Sequence, residues 1–146
     1  MEQSLHFISV LSSLLFTGAA IYINLVEHPA RMSCGTEVAA RVFAPSYRRA
    51  VPMQVSLALI ATVAGILSWL IGGHVLWLVG ALLIFSVIPF TLLVVMPTNK
   101  LLLATEVDKA SSMTRSLLER WGRLHGARSI AGLVASCLFL ALALAA

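Results

Sequence analysis

The stretch PMQVSLALIATVAGILSWLIGGHVLWLVGALLIFSVIPFTLLVVM, Pro52–Met96, decides the fold. It holds two apolar runs, about Pro52–Ile71 and about Val75–Met96, separated only by Gly72-Gly73-His74. Each is long enough for a helix that crosses hydrocarbon, which takes about 20 residues. The glycine pair permits a very short connection, so the two runs predict antiparallel neighbouring spans. Pro52 is expected to open the first, where a missing N–H costs little. Pro89 is expected to kink the second and Pro97 to end it, with Thr98 or Asn99 capping the next segment.

Further runs at about Leu5–Val26 and about Gly126–Ala145 complete a set of four spans in a single 146-residue domain. Apolar residues make up 60% and charged residues 11% of the chain, against roughly half and a quarter in soluble domains, which excludes a soluble globular class. The first run lacks a positively charged start and a small-residue cleavage site, so it reads as a retained span. Backbone groups in hydrocarbon must be satisfied within their own segment, and the predicted class is an all-α integral membrane four-helix bundle. The segment Arg31–Ala50 is too polar to span. Thr36, followed by the acidic Glu37, marks a short helix in that first loop. Between spans three and four, Leu103, Val107, Ala110, Leu117 and Trp121 recur near the helical period, which predicts an amphipathic helix over Lys100–Trp121.

All ten Lys and Arg residues fall on one side of this map. Arg31, Arg41, Arg48 and Arg49 lie between spans one and two; Lys100, Lys109, Arg115, Arg120, Arg123 and Arg128 lie between span three and the start of span four. Loops rich in Lys and Arg face the cytoplasm. The expected location is therefore a bacterial inner membrane with both termini outside the cytoplasm. The net charge of +4 is assigned to anionic headgroups of the lipid bilayer, not to nucleic acid. Cys34 and Cys137 are too far apart in this map for a disulfide. Small residues at Ala131-Gly132, Ala135 and Ser136 permit close packing within the bundle or between copies, so a homo-oligomer is compatible with the sequence.

Chemistry concentrates at the basic end. Thr17, Asn24 and His28 follow spacings of seven and four on span one; Trp121, His125 and Arg128 follow four and three on span four. Each set shares a helix face, and two polar faces in an apolar bundle should meet. Glu27, Arg31, Tyr47, Gln54, Thr98 and Asn99 join them from the neighbouring span ends. Several have a structural account: Arg48, Arg49, Arg120 and Arg123 as headgroup anchors, and Thr17 as a link between helices. Closely spaced Ser9, Ser12 and Ser13 allow close helix approach, and His6 and His74 are expected to be solvated at the other rim. His can take a proton from a weakly acidic C–H or O–H, Arg and Asn can hold the resulting oxyanion, and Trp and Tyr offer faces for an aromatic ligand. The set suits a lipophilic, enolisable aromatic small molecule entering from the bilayer. Glu27, His28 and His125 are also a conceivable metal set, or the two His a haem set. Walker, dinucleotide-binding, HExxH and serine-elbow motifs are missing from the sequence, and those classes drop out.

The chain resembles the anthrone oxygenase-like family of small membrane proteins. The resemblance rests on Val26-Glu27-His28-Pro29-Ala30-Arg31, Pro45-Ser46-Tyr47-Arg48-Arg49-Ala50, Pro89-Phe90-Thr91, Met96-Pro97-Thr98-Asn99 and Trp121…His125…Arg128. It implies oxidation of an anthrone to an anthraquinone by molecular oxygen without a cofactor. On that implication His28 or His125 is the base, while Arg128 and Asn99 hold the oxyanion. Asn24, Glu27, Arg31, Tyr47, Gln54, Thr91, Thr98 and Trp121 would bind substrate. The other reading is a non-catalytic membrane protein that binds a small lipid, quinone or partner in the same pocket.

Overall fold

The computed structural model of the chain describes residues 1–104 and 108–145. Those residues form four rods, each long and apolar enough to cross a membrane: Glu2–Ser33, Thr36–Leu70, Leu76–Leu103 and Ser112–Ala145. The first comprises α1 (Glu2–Tyr22), a π turn over Ile23–Glu27, and α2 (His28–Ser33). The second is the single helix α3 (Thr36–Leu70). The third comprises α4 (Leu76–Phe90), a π turn over Thr91–Val95, and α5 (Met96–Leu103); the fourth is α6 (Ser112–Ala145). In cross-section the rods form a square, with α1 and α4 each packed against both α3 and α6.

The α3–α4 connection is as short as Gly72-Gly73 suggests. Gly72 has φ +105°, a left-handed conformation that glycine adopts without a Cβ penalty. Its N–H donates to the Trp69 carbonyl and the Gly73 N–H to the Ser68 carbonyl, the two bonds of a Schellman helix end.

The polar segments differ from expectation in a consistent way. Thr36 does start a helix, but that helix runs without interruption through Pro45 and Pro52 into the second span. Pro52 therefore opens nothing; it sits mid-helix, where it withholds one backbone bond. Pro97 does not end the third span, and Thr98 and Asn99 are inside α5 instead of capping it. The region expected as an amphipathic helix is divided: Lys100–Leu103 completes α5, and Leu117 and Trp121 belong to α6. Val107 lies outside the described residues. The α6 start is capped by Ser111, whose Oγ accepts the Thr114 N–H at 3.1 Å. A 35-residue helix is about 52 Å long, well beyond a hydrocarbon core of about 30 Å. Helices can leave the bilayer without unwinding, because their backbone bonds are internal in either medium.

Two buried clusters fill the bundle. One, toward the Gly72 end, holds Phe16, Trp77, Ile84 and Phe139 with the small residues Ala20, Ala58, Ala61, Ala81 and Ala135. The other, toward the basic end, holds Ile23, Phe43, Val95, Leu118 and Trp121. Outward positions such as Leu25, Leu93 and Leu144 are apolar and exposed, as a lipid-facing surface requires. Cys34 and Cys137 are both exposed and unpaired. His6 corrects an expectation: it is buried, stacked on Trp77 with ring centroids 4.1 Å apart, while His74 is exposed as expected.

Candidate active site

The two clusters leave a small cavity between them, about 100 Å³, that opens to the outer surface. All four rods contribute: Phe16, Ile23 and Arg31 from the first, and Phe43, Tyr47, Gln54 and Val55 from α3. The third rod adds Ile88, Thr91, Leu92, Met96 and Asn99, and α6 adds Trp121, His125 and Arg128. Its walls are largely apolar, and the polar groups are few and specific.

The spacing in α6 performs as read. Trp121, His125 and Arg128 share one face and line the cavity together. His125 is buried, and its Nδ1 lies 2.6 Å from Asn24 Oδ1. Arg128 donates to Gln54 Oε1 at 2.6 Å and lies 5.6 Å over the Phe16 ring. Asn99 is only 1% exposed, yet neither atom of its amide has a hydrogen-bond partner. Gln54 Nε2, Arg128 Nε and Arg31 Nε are likewise buried without partners. A buried polar group without a partner costs about 1–3 kcal/mol. Four residues that line this one cavity carry such atoms.

Of the residues singled out in the sequence, His125, Arg128, Asn99, Arg31, Tyr47, Gln54, Thr91 and Trp121 line the cavity; His28, Asn24, Glu27 and Thr98 do not. His28 packs behind the wall. Its ring lies 5.3 Å from Trp121, and a Cβ placed on Gly122 would come within 2.7 Å of its Nε2. Only glycine admits the imidazole there. Glu27 accepts from Ser46 Oγ at 2.7 Å and pairs with Arg31 at 3.6 Å, clamping the first rod to α3. Arg31 in turn sits 5.3 Å over Trp121 and 5.9 Å over Phe43. Thr98 is buried within α5. Thr17 joins Ser136 at 2.9 Å, the helix-to-helix link expected of it. Arg48, Arg49, Arg120 and Arg123 point outward and are exposed.

Among the described residues no three His, Cys, Asp or Glu side chains come together as a metal set. The carboxylate of Glu27 is engaged by Ser46 and Arg31 instead of facing the two imidazoles. The sequence reading missed Ser129, whose Oγ lies 2.7 Å from Asn24 Oδ1, and the cavity faces of Phe16 and Phe43. Ser129 was detectable in principle, one turn beyond His125 on the same face. The aromatic faces carry no local signal, because which side of a buried ring borders a void is set by the packing of other helices.

The anthrone oxygenase family model matches residues 41–138. The chain belongs to the anthrone oxygenase family. That match takes in most of α3, all of α4 and α5 and most of α6, hence every cavity residue of this family member outside the first rod. No curated protein matches the chain. No solved structure matches it.

Proposed function

We propose that this protein is a membrane oxygenase of a lipophilic, enolisable aromatic of the anthrone type, working in the cavity between the two buried clusters. One observation carries the reading: a histidine borders an apolar void opposite a buried asparagine whose donor and acceptor are both unspent. His125 removes a proton from the acidic ring CH2, and the electron pair moves to the ring carbonyl oxygen. Asn99 Nδ2 and Arg128 donate to that oxygen, while Asn99 Oδ1 is free to accept from a ring hydroxyl. The carbanion passes electrons to O2 and forms a C–O bond, and the outer peroxide oxygen takes the proton back from His125, giving a hydroperoxide. Loss of water then leaves the quinone, so one anthrone and one O2 yield one anthraquinone and one H2O. The residues need supply only the proton transfer and the charge stabilisation, and no cofactor enters the scheme.

Entry from the bilayer fits the mouth. Val51, Val55 and Leu92 line the cavity and are exposed on the outer face between α3 and the third rod. They offer an apolar passage to a ligand dissolved in lipid. The basic end of the bundle is assigned to the cytoplasm, with both termini on the other side and the membrane a bacterial inner membrane.

Oxygen uptake by the purified protein with a simple anthrone tests the activity. His125→Ala should lower turnover by about 10²–10⁴-fold, the usual worth of a general base. His28→Ala, behind the wall, should lose less than about tenfold. Uptake at the spontaneous rate, together with tight capture of the anthrone, would favour the binding-protein reading of the same cavity.

A further inference from the structure

Asn24 belongs to the first rod and stays out of the cavity, yet it touches three groups of α6. Its Nδ2 donates to the Gly122 carbonyl at 2.9 Å. Its Oδ1 lies 2.6 Å from His125 Nδ1 and 2.7 Å from Ser129 Oγ. The Gly122 contact decides which end of the amide is which. Reversed, the amide would set its oxygen against a carbonyl oxygen, two acceptors with no proton between them. Oδ1 therefore faces the imidazole, and an amide oxygen can only accept. In the neutral ring the proton therefore sits on His125 Nδ1, and Nε2 keeps its lone pair.

We propose that Asn24 is the positioning residue of this site: it locks His125 as the Nδ1–H tautomer and presents Nε2 to the ligand as the base. This rests on the role of His125 as the base of an anthrone oxygenase. The device is the logic of a triad, in which a third group orients the base without touching substrate. A histidine ring left to water favours the opposite tautomer, which would turn the proton toward the ligand. Local backbone geometry supports the assignment. Asn24 lies in the π turn Ile23–Glu27, with Leu25 and Val26 exposed beside it. The wider turn directs one polar side chain to α6 and leaves its neighbours to lipid. Ser129, one turn after His125, can place its hydroxyl proton on Asn24 Oδ1 or on the His125 carbonyl, 3.0 Å away.

The test is the tautomer itself, read by nitrogen NMR of the protein in detergent with 15N-histidine, the His125 signals being assigned by their loss in His125→Gln. Wild type should show a protonated Nδ1 and an unprotonated Nε2 at neutral pH. Asn24→Ala should shift the ring toward Nε2–H. With an anthrone, Asn24→Ala should lower kcat about 10- to 100-fold, as loss of an orienting partner typically does, with KM nearly unchanged. Should that variant not fold, Asn24→Leu removes the acceptor and keeps the branched side-chain shape. An Nε2–H ring in wild type, or an unaltered ring in Asn24→Ala or Asn24→Leu, overturns the proposal. The tautomer is read without substrate, so an Asn24-dependent Nδ1–H ring in a protein inert to anthrones would defeat the oxygenase reading alone.

Discussion

At the residue scale, Asn99 stands out among the described residues, with two buried side-chain atoms that lack partners. It is sealed from solvent with both amide atoms idle, and nothing about α5 requires an amide there. A leucine has the same branching and number of side-chain heavy atoms and, though bulkier, no polar atoms to desolvate. Asn99→Leu is therefore expected to leave thermal stability unchanged or raise it, by up to about 3 kcal/mol. Anthrone binding and turnover should fall together by about 10²-fold or more. Denaturation in detergent beside a ligand titration reads both. A large loss of stability would mean that Asn99 holds the fold, and the ligand role would go with it. His28 shows the converse case. It has the residue type of a base, but Gly122 and Trp121 enclose it away from the void.

At the element scale, the π turns organise the site. Each occupies a five-residue segment, Ile23–Glu27 or Thr91–Val95, and each is followed by one residue and then a proline, Pro29 or Pro97. Proline has no N–H to return to the preceding turn and its ring crowds the carbonyl four residues back, so a widened turn just ahead of it is the relaxed arrangement. Such turns gather at functional sites, and here they supply Asn24 from one rod and the Thr91 and Val95 wall from another. The outer mouth lies beside the second turn. Leu92→Trp should narrow it and lower kcat/KM for a lipophilic anthrone about tenfold, while kcat at saturation changes little. Leu25→Trp, at an exposed position away from the cavity lining, is the control and should change neither. Equal effects from both would argue against entry between α3 and the third rod. The prolines were plain in the sequence, and so was their number. That Pro29 and Pro97 follow widened turns instead of ending helices was not, because a proline signal has the same local form in either case and the packing of the adjacent rods selects between them.

At the scale of the whole molecule, the arrangement of charge predicts topology. Reporter fusions at Ala146 and in the Gly72-Gly73 turn should both report the non-cytoplasmic side, and a fusion in the Arg48-Arg49 region the cytoplasmic side. A cytoplasmic C-terminus would invert the assignment. Metal analysis of active protein should find less than stoichiometric iron, copper or zinc; an activity that tracks bound metal would replace direct reaction of a carbanion with O2.

Sequence by itself determined the number of spans, their antiparallel order, the Gly72 turn and the gathering of polar residues at one end. These follow from hydropathy, from glycine conformation and from the cost of burying charge, all of which are properties of local stretches. It also placed Trp121, His125 and Arg128 on one face, since helical spacing is enough for that. Tertiary structure alone decided that His125 borders the void and His28 does not, that Glu27 pairs with Ser46 and Arg31 away from the cavity lining, and that Asn24 meets the imidazole. Those outcomes depend on the rotation of each rod about its axis, which the π turns reset and which only contact with the other rods can fix.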